Sequence, residues 1–217
     1  MTLATIMTLL AQGMVFTAEI FLITIVGALP LGVVVALLRM SKCAPVALAA
    51  RFYISVMRGT PLMLQLMFWM FGPYYIFGIE MPPEWKFTAC AIGFIMNYAA
   101  YFGEIYRSGI QSIPQGQYEA AQVLGYSKPQ TFVLIVLPQV IKRIIPAMSN
   151  EIITLVKDTA LAFVLGISEM FSVAKQIAAR EVSMLPYIIA AAIYWVVCMA
   201  IEMVLTRVEK RLSYYHD

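Results

Sequence analysis

Residues 119–138 read E-A-A-Q-V-L-G-Y-S-K-P-Q-T-F-V-L-I-V-L-P, with long apolar runs on either side. The stretch predicts a short helix, a tight turn and a second helix. Gly116–Tyr118 lead in, and Glu119 places negative charge near a helix start, where the macrodipole favours it. Ala120 and Ala121 are small and strongly helix-forming. Gly125 stands where a helix ends in a left-handed C′ residue. Ser127 and Pro129 suit the N-cap and first turn of the helix that follows. The outcome is a water-tolerant helix–turn–helix between apolar segments, with a small-residue face that another protein can approach closely.

The surroundings define the solvent. Of 217 residues, 62% are hydrophobic and 12% charged, and the mean hydropathy is +0.82. A soluble domain is about half apolar and a quarter charged. The chain is therefore read as an all-α polytopic membrane protein, a single transmembrane domain over residues 1–217. The net charge of +3 is small and gives no sign of nucleic-acid binding. Cys43, Cys90 and Cys198 are scattered without metal or redox spacing, so no metal site is expected. His216 falls in the tail and is expected to be solvated. The first apolar run lacks a basic lead and exceeds signal-peptide length, so it is read as a retained span.

Five spans are predicted, at about 13–40, 61–77, 87–106, 144–167 and 187–208, with the helix–turn–helix segment at 114–138. Gly27, Pro30 and Gly32 mark close packing in the first span. Ala44–Met57 is amphipathic, carries Arg51, and is placed on the cytoplasmic surface. Thr60 is read as N-cap and Pro61 as first residue of the second span. Tyr74, Tyr75 and Trp85 flank the 78–86 loop as an interfacial belt would. Residues 168–186 read as a surface connector. Positive charge gathers on one set of connections: Arg39, Lys42, Arg51 and Arg58; Arg107, Lys128, Lys142 and Arg143; Arg207, Lys210 and Arg211. The positive-inside rule puts these in the cytoplasm, with the N-terminus outside and the C-terminus inside.

Two predicted spans carry polar residues that lipid does not tolerate unpartnered. Asn97, Tyr101 and Glu104 stand at i, i+4 and i+7 and share one helix face. Glu151, Thr154 and Asp158 do the same, with Asn150 and Lys157 beside them. An aqueous substrate path lined by these residues is one outcome: carboxylates meet a cationic group, and Asn97 and Thr154 add neutral hydrogen bonds. Structural pairing is the other, of Glu104 with Arg107 or of Lys157 with Asp158.

Glu119, Ala120, Ala121, Gly125, Ile135, Leu137 and Pro138 together resemble the EAA loop of bacterial ABC importer permeases. R-G-T-P-L-x-L-Q-L at Arg58–Leu66 and S-N-E-x-I-x-L-V-K-D-T-A-L at Ser149–Leu161 resemble motifs of polar amino-acid permeases in the same superfamily. The resemblance spans most of the chain. It implies the permease subunit of a polar amino-acid ABC importer in a bacterial cytoplasmic membrane. It also implies a second permease subunit, identical or homologous, two ATPase subunits and an extracytoplasmic solute-binding protein. Glu119, Ala120, Ala121 and Gly125 would then couple the chain to the ATPase. The chain has no GxxxxGK[ST] loop, so ATP and Mg are expected on the partner and no catalytic residue is expected here. Acidic residues outnumber Lys157 in the expected path, which favours a cationic amino acid. An ion-coupled secondary transporter is the competing class.

Overall fold

In the computed structural model, residues 1–212 are described, and the His216 expectation lies outside them. Among the described residues the fold is entirely helical. The elements are α1 (Leu3–Arg39), α2 (Ala44–Gly59), α3 (Leu62–Phe77), α4 (Trp85–Gln111), α5 (Gln115–Val123), α6 (Lys128–Gln130), a π-helical turn (Thr131–Val136), α7 (Leu137–Asp158), a 3₁₀ segment (Thr159–Leu165), α8 (Met170–Glu181) and α9 (Leu185–Leu212). Three helical runs are long and apolar enough to cross a membrane: Leu3–Arg39, Lys128–Leu165 and Leu185–Leu212. Leu62–Phe77 is a shorter apolar helix.

α4 is long enough to span but falls short of them in hydropathy. The reason lies in its position: α1, α2, α3 and α7 all pack on it, so protein rather than lipid covers its faces. Phe94, Tyr98 and Phe102 of α4 are fully or almost fully buried, and Ile20, Ala28, Leu66 and Leu155 complete the core around them. α1 and α4 run in the same direction at close range. A Cβ on Gly27 would lie 2.6 Å from Ile95, one on Gly32 2.9 Å from Phe102, and one on Gly103 2.7 Å from Val35. Small residues at such a crossing let backbones approach and gain dispersion contacts, the main attraction between helices in lipid.

Several expectations are revised. α2 packs on α4 through one face and leaves the other exposed: Ala50 and Ile54 are buried, Ile54 sits with Val35 and Ala100, and the Tyr53 hydroxyl donates to the Met96 carbonyl halfway along α4, whereas Leu48, Arg51 and Phe52 are exposed. Thr60 closes α2 instead of opening α3: its Oγ1 donates to the Val56 carbonyl at 2.8 Å, and Pro61 caps α3. The expected surface connector contains α8, wedged against α1 and α9 with Met170 and Ala174 fully buried. The expected fourth span is the later part of a continuous helical run that starts at Lys128.

Candidate functional site

The break between α2 and α3 lies level with the middle of α4. Asn97 is 4% exposed, and its Nδ2 donates to the Met57 carbonyl at 2.9 Å and to Gln65 Oε1 at 3.0 Å. Gln65 Nε2 in turn donates to the Met57 and Thr60 carbonyls and to Thr60 Oγ1. These bonds satisfy carbonyls that the end of α2 leaves without helical partners. Asn97 is thus committed to holding the break in place, away from the cavity described next.

The break delivers Arg58 to α4. Its guanidinium lies 5.2 Å from the centre of the Tyr101 ring, within cation–π range. Arg58 and Tyr101 form part of the wall of a cavity of about 460 Å³ between α4 and α7, where Glu104, Ser112, Arg143 and Glu151 also stand. α4 and α7 meet closely at one end of it, since a Cβ on Gly109 would collide with Ile144. Glu104 holds a two-pronged ion pair with Arg107, one turn along the same helix. Arg143 donates to the Ser112 carbonyl and to Ser112 Oγ, tying the start of α7 to the end of α4. The cavity wall therefore holds two guanidinium groups and two carboxylates, of which Arg143 is engaged by Ser112 and Glu104 by Arg107.

Asp158 belongs to a different cluster. Tyr98, 2% exposed, donates its hydroxyl to Asp158 Oδ2 at 2.8 Å, joining α4 to the end of α7. Thr154 is half-buried on α7 between Glu151 and Asp158, and Lys157 is exposed. Of the six residues expected along a path, the cavity brings together Tyr101, Glu104 and Glu151 and leaves Asn97, Thr154 and Asp158 outside its wall. Arg58, Ser112 and Arg143 were not among them. In the sequence Arg58 stands out as a member of the positive set and as the first residue of the R-G-T-P motif, and neither signal says that it reaches a cavity wall.

Within the 114–138 segment the first helix takes in the expected Gly116–Tyr118 lead-in, with Pro114 as N-cap and Gln115 as first residue, so Glu119 lies beyond the first turn. Glu119 and Ala120 are exposed, and Ala121, 1% exposed, is the residue of α5 that turns inward. Gly125 has φ +79°, with its N–H bonded to the Gln122 carbonyl and the Tyr126 N–H bonded to the Ala121 carbonyl. That pair of bonds is a Schellman motif. Ser127 caps α6, and Gln130 Oε1 accepts from the Ser127 N–H at 2.9 Å.

A family model described as binding-protein-dependent transport system inner membrane component matches residues 28–214. The chain belongs to that family. This permease is 36% identical over 209 residues to the L-cystine transport system permease protein TcyB of Bacillus subtilis (strain 168), across 95% of this chain and 88% of that protein. It is 37% identical over 203 residues to the arginine transport system permease protein ArtQ of the same organism, across 93% and 91%. Its fold matches the crystal structure of an amino acid ABC transporter with histidines at a TM-score of 0.86 and 34% identity, over 97% of this chain and 100% of that one. A methionine ABC transporter, MetNI, shares the fold at a TM-score of 0.77 and 18% identity, over 98% and 100%. The chain is an inner-membrane permease of the polar amino-acid ABC importer type.

Proposed function

We propose that the chain, residues 1–217, is one transmembrane domain that moves a polar L-amino acid into the cytoplasm. It would work with a second permease subunit, identical or homologous, and with two ATPase subunits that bind ATP and Mg. An extracytoplasmic solute-binding protein delivers the amino acid. The domain crosses the bilayer five times, with α2 and α3 together forming the second, interrupted crossing. The N-terminus lies outside, and α5 and the C-terminus lie inside. α5 docks on an ATPase through its exposed residues, Glu119 and Ala120 among them.

The cavity between α4 and α7 carries this reading. Its volume lies within the roughly 300–1,000 Å³ usual for small-molecule sites. Arg58 suits the α-carboxylate and Glu151 the α-ammonium, each through a charge-assisted hydrogen bond. The expected preference for a cationic side chain rested on an acid count without Arg58 and Arg143. With both in the wall, the second carboxylate that a cationic side chain would meet is Glu104, which Arg107 already holds. Recognition of both charged ends of the amino acid is therefore the function this geometry supports best.

The test is uptake by the complete complex in proteoliposomes, with arginine, lysine, histidine, glutamine and cystine as competing substrates. Expected are dependence on ATP and on the α-amino and α-carboxylate groups of the competitor. Transport that persists without ATP but needs an ion gradient would establish the secondary-transporter class instead. Equal competition by compounds lacking the α-carboxylate would remove Arg58 from recognition.

A further inference from the structure

The run from α6 to α7 contains one helical turn of the wrong width. Over Thr131–Val136 the backbone is π-helical, and the Leu137 N–H bonds to the carbonyl of Phe132, five residues back. Pro138 follows directly. A proline inside a helix offers no N–H, and its ring collides with the carbonyl four residues earlier, here Leu134. A wider turn relieves the collision, and single π turns inside α-helices are frequent at functional sites.

The side chain after the proline makes a second, independent link. Gln139 Nε2 donates to the Ile135 carbonyl at 2.8 Å and to Gln117 Oε1 of α5 at 3.3 Å. One amide therefore bridges the wide turn and the exposed helix. The bridge stands on a firm base: Val136 and Val140 are buried with Ile113 at the end of α4, and Arg143 holds the Ser112 carbonyl one turn further along α7.

We propose that Pro138 and Gln139 are positioning residues for coupling: Pro138 holds the π turn open, and Gln139 uses the carbonyl at that turn to fix the angle at which α5 meets α7. Closing the turn to α-helical form changes the register by one residue, about 100° of rotation. α7 also carries Arg143 and Glu151 into the cavity wall, so the angle of α5 is linked to the residues that face substrate. The inference rests on the proposed docking of an ATPase on α5.

The experiment measures amino acid transported per ATP hydrolysed by the complete reconstituted complex. A cysteine placed at Gln115 serves as a cross-linking point to the ATPase. Pro138→Ala should keep the cross-link and the ATPase activity while transport per ATP falls. Gln139→Ala should lower that ratio roughly two- to tenfold, the range one neutral hydrogen bond covers. Gln139→Lys keeps a donor and should restore most of the loss, a rescue that a purely structural role would not produce. If Pro138→Ala transports at the parent ratio, or Gln139→Lys is no better than Gln139→Ala, the proposal is wrong. If the parent complex itself gives no cross-link at Gln115, the docking of α5 falls and the inference falls with it.

Discussion

Two residues of α4 that share one helix face in the sequence perform different tasks. Asn97 spends both amide protons on the α2–α3 break, whereas Tyr101, one turn later, carries Arg58 on its ring. Asn97→Ala should therefore act on stability. It strips a donor from buried acceptors, a loss of about 1–3 kcal/mol, and should lower the melting temperature of the purified complex. Glu151→Gln and Arg58→Gln should act on affinity, weakening substrate binding roughly 10- to 150-fold while assembly stays normal, as loss of one hydrogen bond to a charged group implies. Uptake and substrate-stimulated ATPase activity separate the two effects. Parent-like transport by both charge variants would make them structural. The sequence displayed Glu151 because a carboxylate in an apolar run stands out. It hid Tyr98, whose partner Asp158 is 60 residues away, and a tyrosine in a membrane helix has no tell-tale of its own.

At the scale of elements, local chemistry was legible and depth was not. The bounds of α3 and the left-handed turn at Gly125 follow from short-range signals, the apolar run and the one residue that adopts φ +79° cheaply. Gly125→Val should strain that turn by about 1–2 kcal/mol or more, since a β-branched residue tolerates it least. The variant is expected to insert normally and to co-purify poorly with the ATPase; normal co-purification and uptake would count against the turn's role. The packing of α2 on α4 was not legible for a physical reason. An amphipathic pattern records which face is apolar and says nothing of which element covers it, here α4 through Ala100 and the Met96 carbonyl. α5 began earlier than its first charge suggested, because Pro114 and Gln115 start the helix without an acidic residue in its first turn. The wide turn before Pro138 left only the proline as its trace.

For the whole molecule, the proposed orientation makes a direct expectation. In a cysteine-free background, cysteines at Glu80 and Glu181 should react with an impermeant reagent from outside, and one at Ser127 only after the membrane is opened. Labelling of Ser127 in intact cells would reverse the assignment that the positive charges suggest. The fold class was readable from composition and hydropathy. The arrangement around α4 was not, because its partners come from α1, α2, α3 and α7, brought together by contacts no local pattern records.

The parallel crossing of α1 on α4 also sets a timetable. Gly32 leaves the ribosome 71 residues before Gly103, its partner in the crossing, an interval of roughly 4–14 s at 5–20 residues per second. Through that interval α1 is in the membrane with its glycine face unmatched, while α2 and α3 are still being made. A nascent chain stopped at Phe77 should therefore leave that face open to other helices, and a cysteine in it at Ala28, one turn before Gly32 on the same face and buried with Phe94 and Phe102 in the finished fold, should cross-link to neighbouring insertion factors or lipids. In a chain released beyond Gln111 the same cysteine should be shielded by α4. Assembly of this permease would then be gated by translation, with the fourth helix as the step that closes it.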